Sequence, residues 1–443
     1  MTSLLTQQLF STPAMSEVFG DRARIQAMLD AETALARAQA SVGLIPEAAV
    51  APIAGACDAA LYDPEALGRA TAITGNPAIP LVAALTKRVA EQHPDAALWV
   101  HYGATSQDII DTGMVLQARA GLELISAELD RIEAALAALA RDHAGTVMAG
   151  RTLLQHAVPI SFGLKAAGWL DSVWRARRAL TAAGDDLAPQ LGGAVGSLAA
   201  MGAEGPRVLD AFAHDLGGAA APPWHARRER IALLGAALAV LIGALSKAAL
   251  DLTLMMQTEA GEASEPLVAG GGGSSAMPHK RNPVVLVAVQ AAGRRAPGLS
   301  ATLMSALPQA HERDVGGWHA EWEVLPELFA LCGGATAGMA AVFEGLELDP
   351  ARMRRNLDLT HGLLFAERAA LALTPHLGRA EAHALVKRAS EQAEREGGGL
   401  RGVLEADPTV CVALAGRFDE IFDPALTLAA VPELIRRMIG RDA

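Results

Sequence analysis

The chain has 443 residues, 51% of them hydrophobic and only 4% aromatic, enough to bury a large core and to form two or three domains. Its formal net charge of −12 and pI near 5.5 exclude nucleic acid and anionic membranes as general partners, so an anionic ligand needs a local basic pocket. Cys57, Cys332 and Cys411 are far apart with no CxxC spacing, which reads as reduced thiols of a cytoplasmic protein.

From Met1 to Phe10 no basic stretch precedes an apolar one, so no export signal is expected. Residues Asp21 to about Val42 are rich in Ala, Leu, Glu and Arg at helical spacing, and the same pattern recurs along most of the chain with almost no strand alternation, which predicts an all-α protein. Leu122, Ile125, Leu129, Ile132, Leu136 and Leu139 step by three and four, the seam of a helix packed lengthwise in a bundle. Two more long segments, Ser161 to Ala183 and Ala232 to Met256, are apolar on most faces, as central helices of a multi-chain bundle are. The most apolar run, Ala232 to Leu245, falls short of the ~20 residues that span a bilayer and reads as a buried helix. Beyond about Asp349, Arg- and Glu-rich helices are broken at Thr374-Pro375 and at Gly397 to Gly399. Three regions follow: an N-terminal helical domain (1–112), a central long-helix bundle (113–348) and a C-terminal helical domain (349–443).

Four polar stretches interrupt this pattern. In Trp99-Val-His-Tyr-Gly-Ala-Thr-Ser-Gln-Asp-Ile-Ile-Asp111, Thr105 and Asp108 form a variant capping box, so a helix starts near Ser106 with free amides that can receive a carboxylate; on these residues alone, capping suffices as their role. Gly150-Arg-Thr-Leu-Leu-Gln-His-Ala-Val-Pro159 holds His156 in an Ala, Val and Pro context that suits a buried histidine as well as a reactive one. Gly270 to Pro283 opens with four glycines and ends with a histidine, a lysine, an arginine and an asparagine between Pro278 and Pro283, a loop suited to holding anions; Lys280 is one of only five lysines in the chain. His311-Glu-Arg-Asp-Val-Gly-Gly-Trp-His-Ala-Glu-Trp322 completes the set, and no histidine pair has zinc-motif spacing, so neither a metal nor a cofactor is expected.

From Gly273 to Pro283 the order Gly-Ser-Ser-x-Met-Pro-x-Lys-x-Asn-Pro resembles the hallmark of the fumarase/aspartase superfamily, and His101-Tyr-Gly-x-Thr-Ser-x-Asp108 with Gly150, Thr152, Gln155 and Pro159 resembles its two earlier site stretches. The resemblance spans essentially the whole chain. It implies a homotetramer with a central helical bundle, each active site drawing on three subunits, and a small polycarboxylate substrate. It assigns catalysis to Ser274, Lys280 and, in competition with Ser274 for the proton, His156. Substrate contacts fall to His101, Thr105, Ser106, Gln155, Ser275, Met277, Asn282 and Arg313.

One departure narrows the chemistry. Where the amine-releasing lyases carry a histidine after the motif threonine, this chain has Leu153. An amine must be protonated to leave, whereas a carboxylate with a pKa near ~4 departs unaided. The expected reaction is therefore the addition of a substrate's own carboxylate to a double bond to form a lactone, with a proton delivered to a neighbouring carbon. Gly316, Trp318, His319 and Trp322 stand where adenylosuccinate lyases hold a phosphate. The rivals are an amine-eliminating lyase acting on argininosuccinate, adenylosuccinate or aspartate, and a catalytically silent, crystallin-like oligomer.

Overall fold

Ala- and Leu-rich segments with few Gly or Pro inside them become helices because such side chains lose little rotamer freedom there. The computed structural model describes residues 4–266, 273, 277 and 280–440. After short N-terminal helices come α1 (Asp21–Ser41) and α2 (Ser106–Asp142), the hairpin β1 (Val147–Thr152) and β2 (Gln155–Ser161), α3 (Phe162–Asp185) and α4 (Glu229–Met255). The two-residue strand β3 (Ala263–Ser264) precedes α5 (Val284–Ser305) and α6 (Gly317–Glu344); β4 (Glu347–Leu348) pairs antiparallel with β3 and leads into α7 (Pro350–Asn356), α8 (Ala366–Leu377) and α9 (Arg379–Glu396).

The chain divides into two compact units. The first comprises Met1–Leu129, Ala176–Gly243 and Ala288–Ala337. Its core joins α1 residues such as Leu29 and Leu35 to Leu81, Leu85, Ile109 and Phe212. The second comprises Asp130–Arg175, Ala244–Val287 and Gly338–Ala443. There Leu373, Leu385, Leu400, Leu404 and Leu414 form one apolar cluster, and Ala149 of β1 packs with Leu357, Leu364 and Phe365 in another.

The long segments read from the sequence are α2, α3 and α4, and the seam residues Ile125, Leu129, Ile132 and Leu136 are at most 1% exposed. Helices α4 and α6 are long and apolar enough to cross a membrane by length and composition, yet 56% of the most apolar window of each is buried within this chain.

Two expectations need correction. The break expected at Thr374-Pro375 comes at Gly378 instead: α8 runs through Pro375, and Gly378 ends it with φ 78°. Pro375 sits in the final turn and denies a donor only to the carbonyl of Leu371, an exposed residue where water can serve. The second polar stretch, which showed no strand pattern, is an antiparallel hairpin, and its two-residue loop is Leu153-Leu154, both with positive φ (51° and 64°). Such loops favour Asn-Gly, so nothing in a Leu-Leu pair announces the turn.

Candidate active site

In the first unit, the polar groups gather at the start of α2. Thr105 donates its amide to Asp108 Oδ2 at 2.9 Å, the half of the capping box that the sequence anticipates. Its hydroxyl has another use: it accepts from Arg313 Nη2 at 3.0 Å. Arg313 also donates through Nε to Gln107 Oε1 (3.2 Å) and through Nη2 to the Ala194 carbonyl (3.0 Å). The turn before α6 carries Arg313, and Asp314 ties that turn by accepting the amides of Ala310 and Gly317; those amides hold its carboxyl below the usual range.

Asp108 does more than cap. Fully buried, it accepts the amides of Gly192 (2.8 Å) and Gly193 (3.0 Å) and His225 Nε2 (2.7 Å), besides Thr105. The chain must approach closely here: a Cβ on Gly192 would sit 2.6 Å from His225 Cε1. One helical turn later, Asp111 and Glu321 grip Arg228, all three at most 1% exposed. Arg228 Nη1 and Nη2 reach Asp111 at 2.7 and 3.0 Å, Nε reaches Glu321 at 3.0 Å, and Trp318 Nε1 adds a bond to Asp111 at 2.9 Å. Burial alone disfavours a charged Arg228, but the two carboxylates outweigh it and raise its pKa.

His101 lies just ahead of this group in a left-handed conformation (φ 58°), with Nδ1 2.6 Å from the buried Glu32 carboxylate. Burial opposes protonation of His101, yet the Glu32 charge and hydrogen bond prevail and lift its pKa above the ordinary value. Ser106 is the first residue of α2. Thr105, Ser106 and Arg313 thus offer hydroxyl, helix-terminal and guanidinium donors, a set suited to a carboxylate.

In the second unit, Gln155 opens β2 at the exposed end of the hairpin and His156 follows it, partly buried. Burial first, and then the charge of Arg151, hold the His156 pKa below its ordinary value, with Glu262 opposing. Gly150 is required by packing: a Cβ there would lie 2.6 Å from the Val158 carbonyl. Leu153 and Leu154 at the tip are 97% and 74% exposed.

Lys280 is exposed, with its amide donating to the Met277 carbonyl at 3.1 Å; Met277 is 44% exposed, and Asn282 accepts the Val284 amide at 3.0 Å. Between Lys280 and Asn282, Arg281 donates to Glu347 on β4 (3.0 and 3.3 Å) and to the Glu265 carbonyl (2.8 Å). Glu265 in turn caps α5 by accepting the Leu286 amide at 2.7 Å. Ser274 and Ser275 lie outside the described residues.

The expected residues therefore fall into two sets. His101, Thr105, Ser106 and Arg313 belong to the first unit, and Thr105 and Arg313 touch; Gln155, His156, Met277, Lys280 and Asn282 belong to the second. Sequence reasoning missed the buried polar groups of each unit: His225, Arg228 and Glu321 around Asp108 and Asp111 in the first, and the pair of Arg151 and Glu262 in the second. The pair Gly192-Gly193 was a legible sign of close backbone approach near a buried group; the long-range ion pairs carried no local signal.

Residues 9–298 match the family model described as Lyase, and residues 362–438 match Adenylosuccinate lyase C-terminus. The chain belongs to this lyase family, the fumarase/aspartase superfamily. It is 48% identical over 438 residues to a 3-carboxy-cis,cis-muconate cycloisomerase of Pseudomonas aeruginosa, covering 97% of this chain and 95% of the relative. The crystal structure of 3-carboxy-cis,cis-muconate lactonizing enzyme from Pseudomonas putida superposes with a TM-score of 0.93 at 46% identity, over 99% of this chain and 98% of that one. A nitrosuccinate lyase of Streptomyces davaonensis is 47% identical, covering 99% of this chain and 94% of the relative.

Proposed function

We propose that this protein interconverts 3-carboxy-cis,cis-muconate and 4-carboxymuconolactone, a step in the breakdown of aromatic acids through protocatechuate. The observation that carries the reading is the full-length 48% identity to the Pseudomonas aeruginosa cycloisomerase, and Leu153 supports it chemically. In the ring-opening direction a base removes a proton from the carbon next to a carboxylate, giving an enediolate. The lactone C–O bond then breaks and its electrons leave on a carboxylate oxygen. No acid is needed for that departure, which fits an alkyl side chain at position 153.

The enediolate carries extra negative charge, so fixed donors that strengthen as charge develops lower the barrier. Lys280, Asn282, Thr105 and Ser106 serve here, with Arg313 holding a remote carboxylate and His101, Gln155, Ser275 and Met277 shaping the pocket. Ser274 is the proton carrier by motif. His156 is the alternative, favoured by an environment that keeps its imidazole neutral.

A homotetramer, with each site drawing its three stretches from three subunits, completes the proposal. It is supported by the exposure in the single chain of Leu233, Val240 and Leu250 along α4, at 58%, 57% and 46%. A cytoplasmic location is supported by the free thiols of Cys57, Cys332 and Cys411.

Replacing Ser274 with Ala and His156 with Asn in turn tests the proton assignment. The carrier's loss should lower kcat at least ~100-fold with the helical circular-dichroism spectrum intact. Near-normal turnover in both variants would refute both assignments. The second reading, an eliminating lyase, draws on the Streptomyces relative; release of fumarate or nitrite from a substituted succinate would favour it.

A further inference from the structure

Arg151 stands directly across the hairpin from His156, immediately past the register shift between Ala149 and Arg151. Its guanidinium meets Glu262 through two parallel bonds, Nη1 to Oε2 at 2.9 Å and Nη2 to Oε1 at 2.7 Å. Glu262 is fully buried and cannot swing: Asn356 Nδ2 holds Oε1 at 2.8 Å, the Glu262 amide donates to Met255, and its carbonyl accepts from Asp349. Asn356, 2% exposed, is itself tied to the Ala260 carbonyl at 2.9 Å. Such a bidentate, fully hydrogen-bonded pair keeps its charge at a fixed place.

His156 Nδ1 is buried and finds no hydrogen-bond partner among the described residues. The charged groups that act on its ring are Arg151 from β1 and Glu262 from the segment after α4. Glu262 already has its oxygens engaged by Arg151 and Asn356, so it is poorly placed to welcome a second proton on the imidazole.

We propose that Arg151, the cross-strand partner of His156 and locked in place by Glu262 and Asn356, is a positioning residue for His156: its fixed positive charge, added to the partial burial of the ring, opposes a second proton on the imidazole. The inference rests on the reading that His156 belongs to the reaction site. Arg151 acts through His156 and touches no substrate. Removing its charge leaves Glu262 to attract the proton; removing the Glu262 charge does the opposite. The two changes therefore move His156 in opposite directions, a signature that a packing role does not produce.

The test uses the full-length enzyme in its native assembly, with Arg151→Gln, Arg151→Lys, Glu262→Gln and His156→Asn. The first readout is the pH dependence of diethyl pyrocarbonate modification at His156, followed by peptide mass spectrometry, which needs no turnover. The second is the pH profile of kcat/KM for ring opening. Arg151→Gln should raise the half-point of modification, Glu262→Gln should lower it, and Arg151→Lys should stay near the wild type. An unchanged half-point in Arg151→Gln, or a shift of the same sign in Glu262→Gln, overturns the inference. Where Arg151→Gln fails to fold, Glu262→Gln decides alone, by a downward shift or none. If the half-points move as expected while His156→Asn keeps normal turnover, the link between Arg151 and the imidazole stands and the reading of His156 as a site residue falls.

Discussion

Arg228 is the most exacting place to test the construction of the first site. Replacing it with Met keeps an apolar side chain of useful length but leaves Asp111 and Glu321, 0% and 1% exposed, facing one another without a cation. Breaking a buried ion pair from one side costs about 3–5 kcal/mol, because the stranded charges have neither water nor a counter-ion. With an unfolding entropy of about 2.1 cal/mol/K per residue over 443 residues, that corresponds to a fall in Tm of roughly 4 °C if the chain melts as one unit. The deficit has a sign with pH. Burial already holds Glu321 above the usual carboxylate range beside Arg228, and the variant adds to that. A carboxylate whose folded pKa is raised contributes stability below its unfolded pKa of about 4 and loses it as pH rises through the folded value. The deficit should thus grow with pH from about 4 upward, smaller near pH 5 than near pH 8. Thermal melts of both proteins at one fixed concentration, at each pH, measure it, and Arg228→Met combined with Asp111→Asn and Glu321→Gln should recover most of the loss. A deficit below ~1 kcal/mol at pH 8, or one equal at both pH values, would refute the reasoning.

Further outcomes follow from the same contacts. Arg313→Ala should raise KM about 10- to 100-fold with a smaller effect on kcat, since a charge-assisted bond contributes ~1.5–3 kcal/mol; an unchanged KM would remove Arg313 from the substrate's surroundings. Leu153→Asn with Leu154→Gly should raise stability by about 1–2 kcal/mol in chemical denaturation, because the loop then carries residues suited to positive φ; turnover should fall if the apolar tip serves the site. His101 has a raised folded pKa, so its pairing with Glu32 stabilises fully below an unfolded pKa of about 6.5 and is lost as pH rises through the folded value. His101→Gln should therefore lose most Tm relative to wild type near pH 6 and least near pH 9.

Much of the fold was legible because long apolar periodicity is a local signal: α2, α3 and α4 follow from the steps between Leu122 and Leu139 and from the runs after Ser161 and Ala232. The start of α2 at Ser106 was equally readable from Thr105 and Asp108. The hairpin was not, because its turn residues are leucines and its bulge at Gly150 breaks strict alternation. Glu262 lies 111 residues from Arg151, and Arg313 lies 208 residues from Thr105, separations over which no pattern in the chain announces a pair. In the Gly-rich stretch the motif singled out Lys280 and Asn282, whereas Arg281, read only as part of an anion-holding loop, spends its guanidinium on Glu347 and Glu265.

The most direct measurement mixes the purified protein with 3-carboxy-cis,cis-muconate and follows the loss of diene absorbance while the products are separated by chromatography. Conversion to an isomeric lactone of unchanged mass, with no fragment released, is the expected result. An inert diene together with fumarate or nitrite released from a substituted succinate would contradict the proposed reaction.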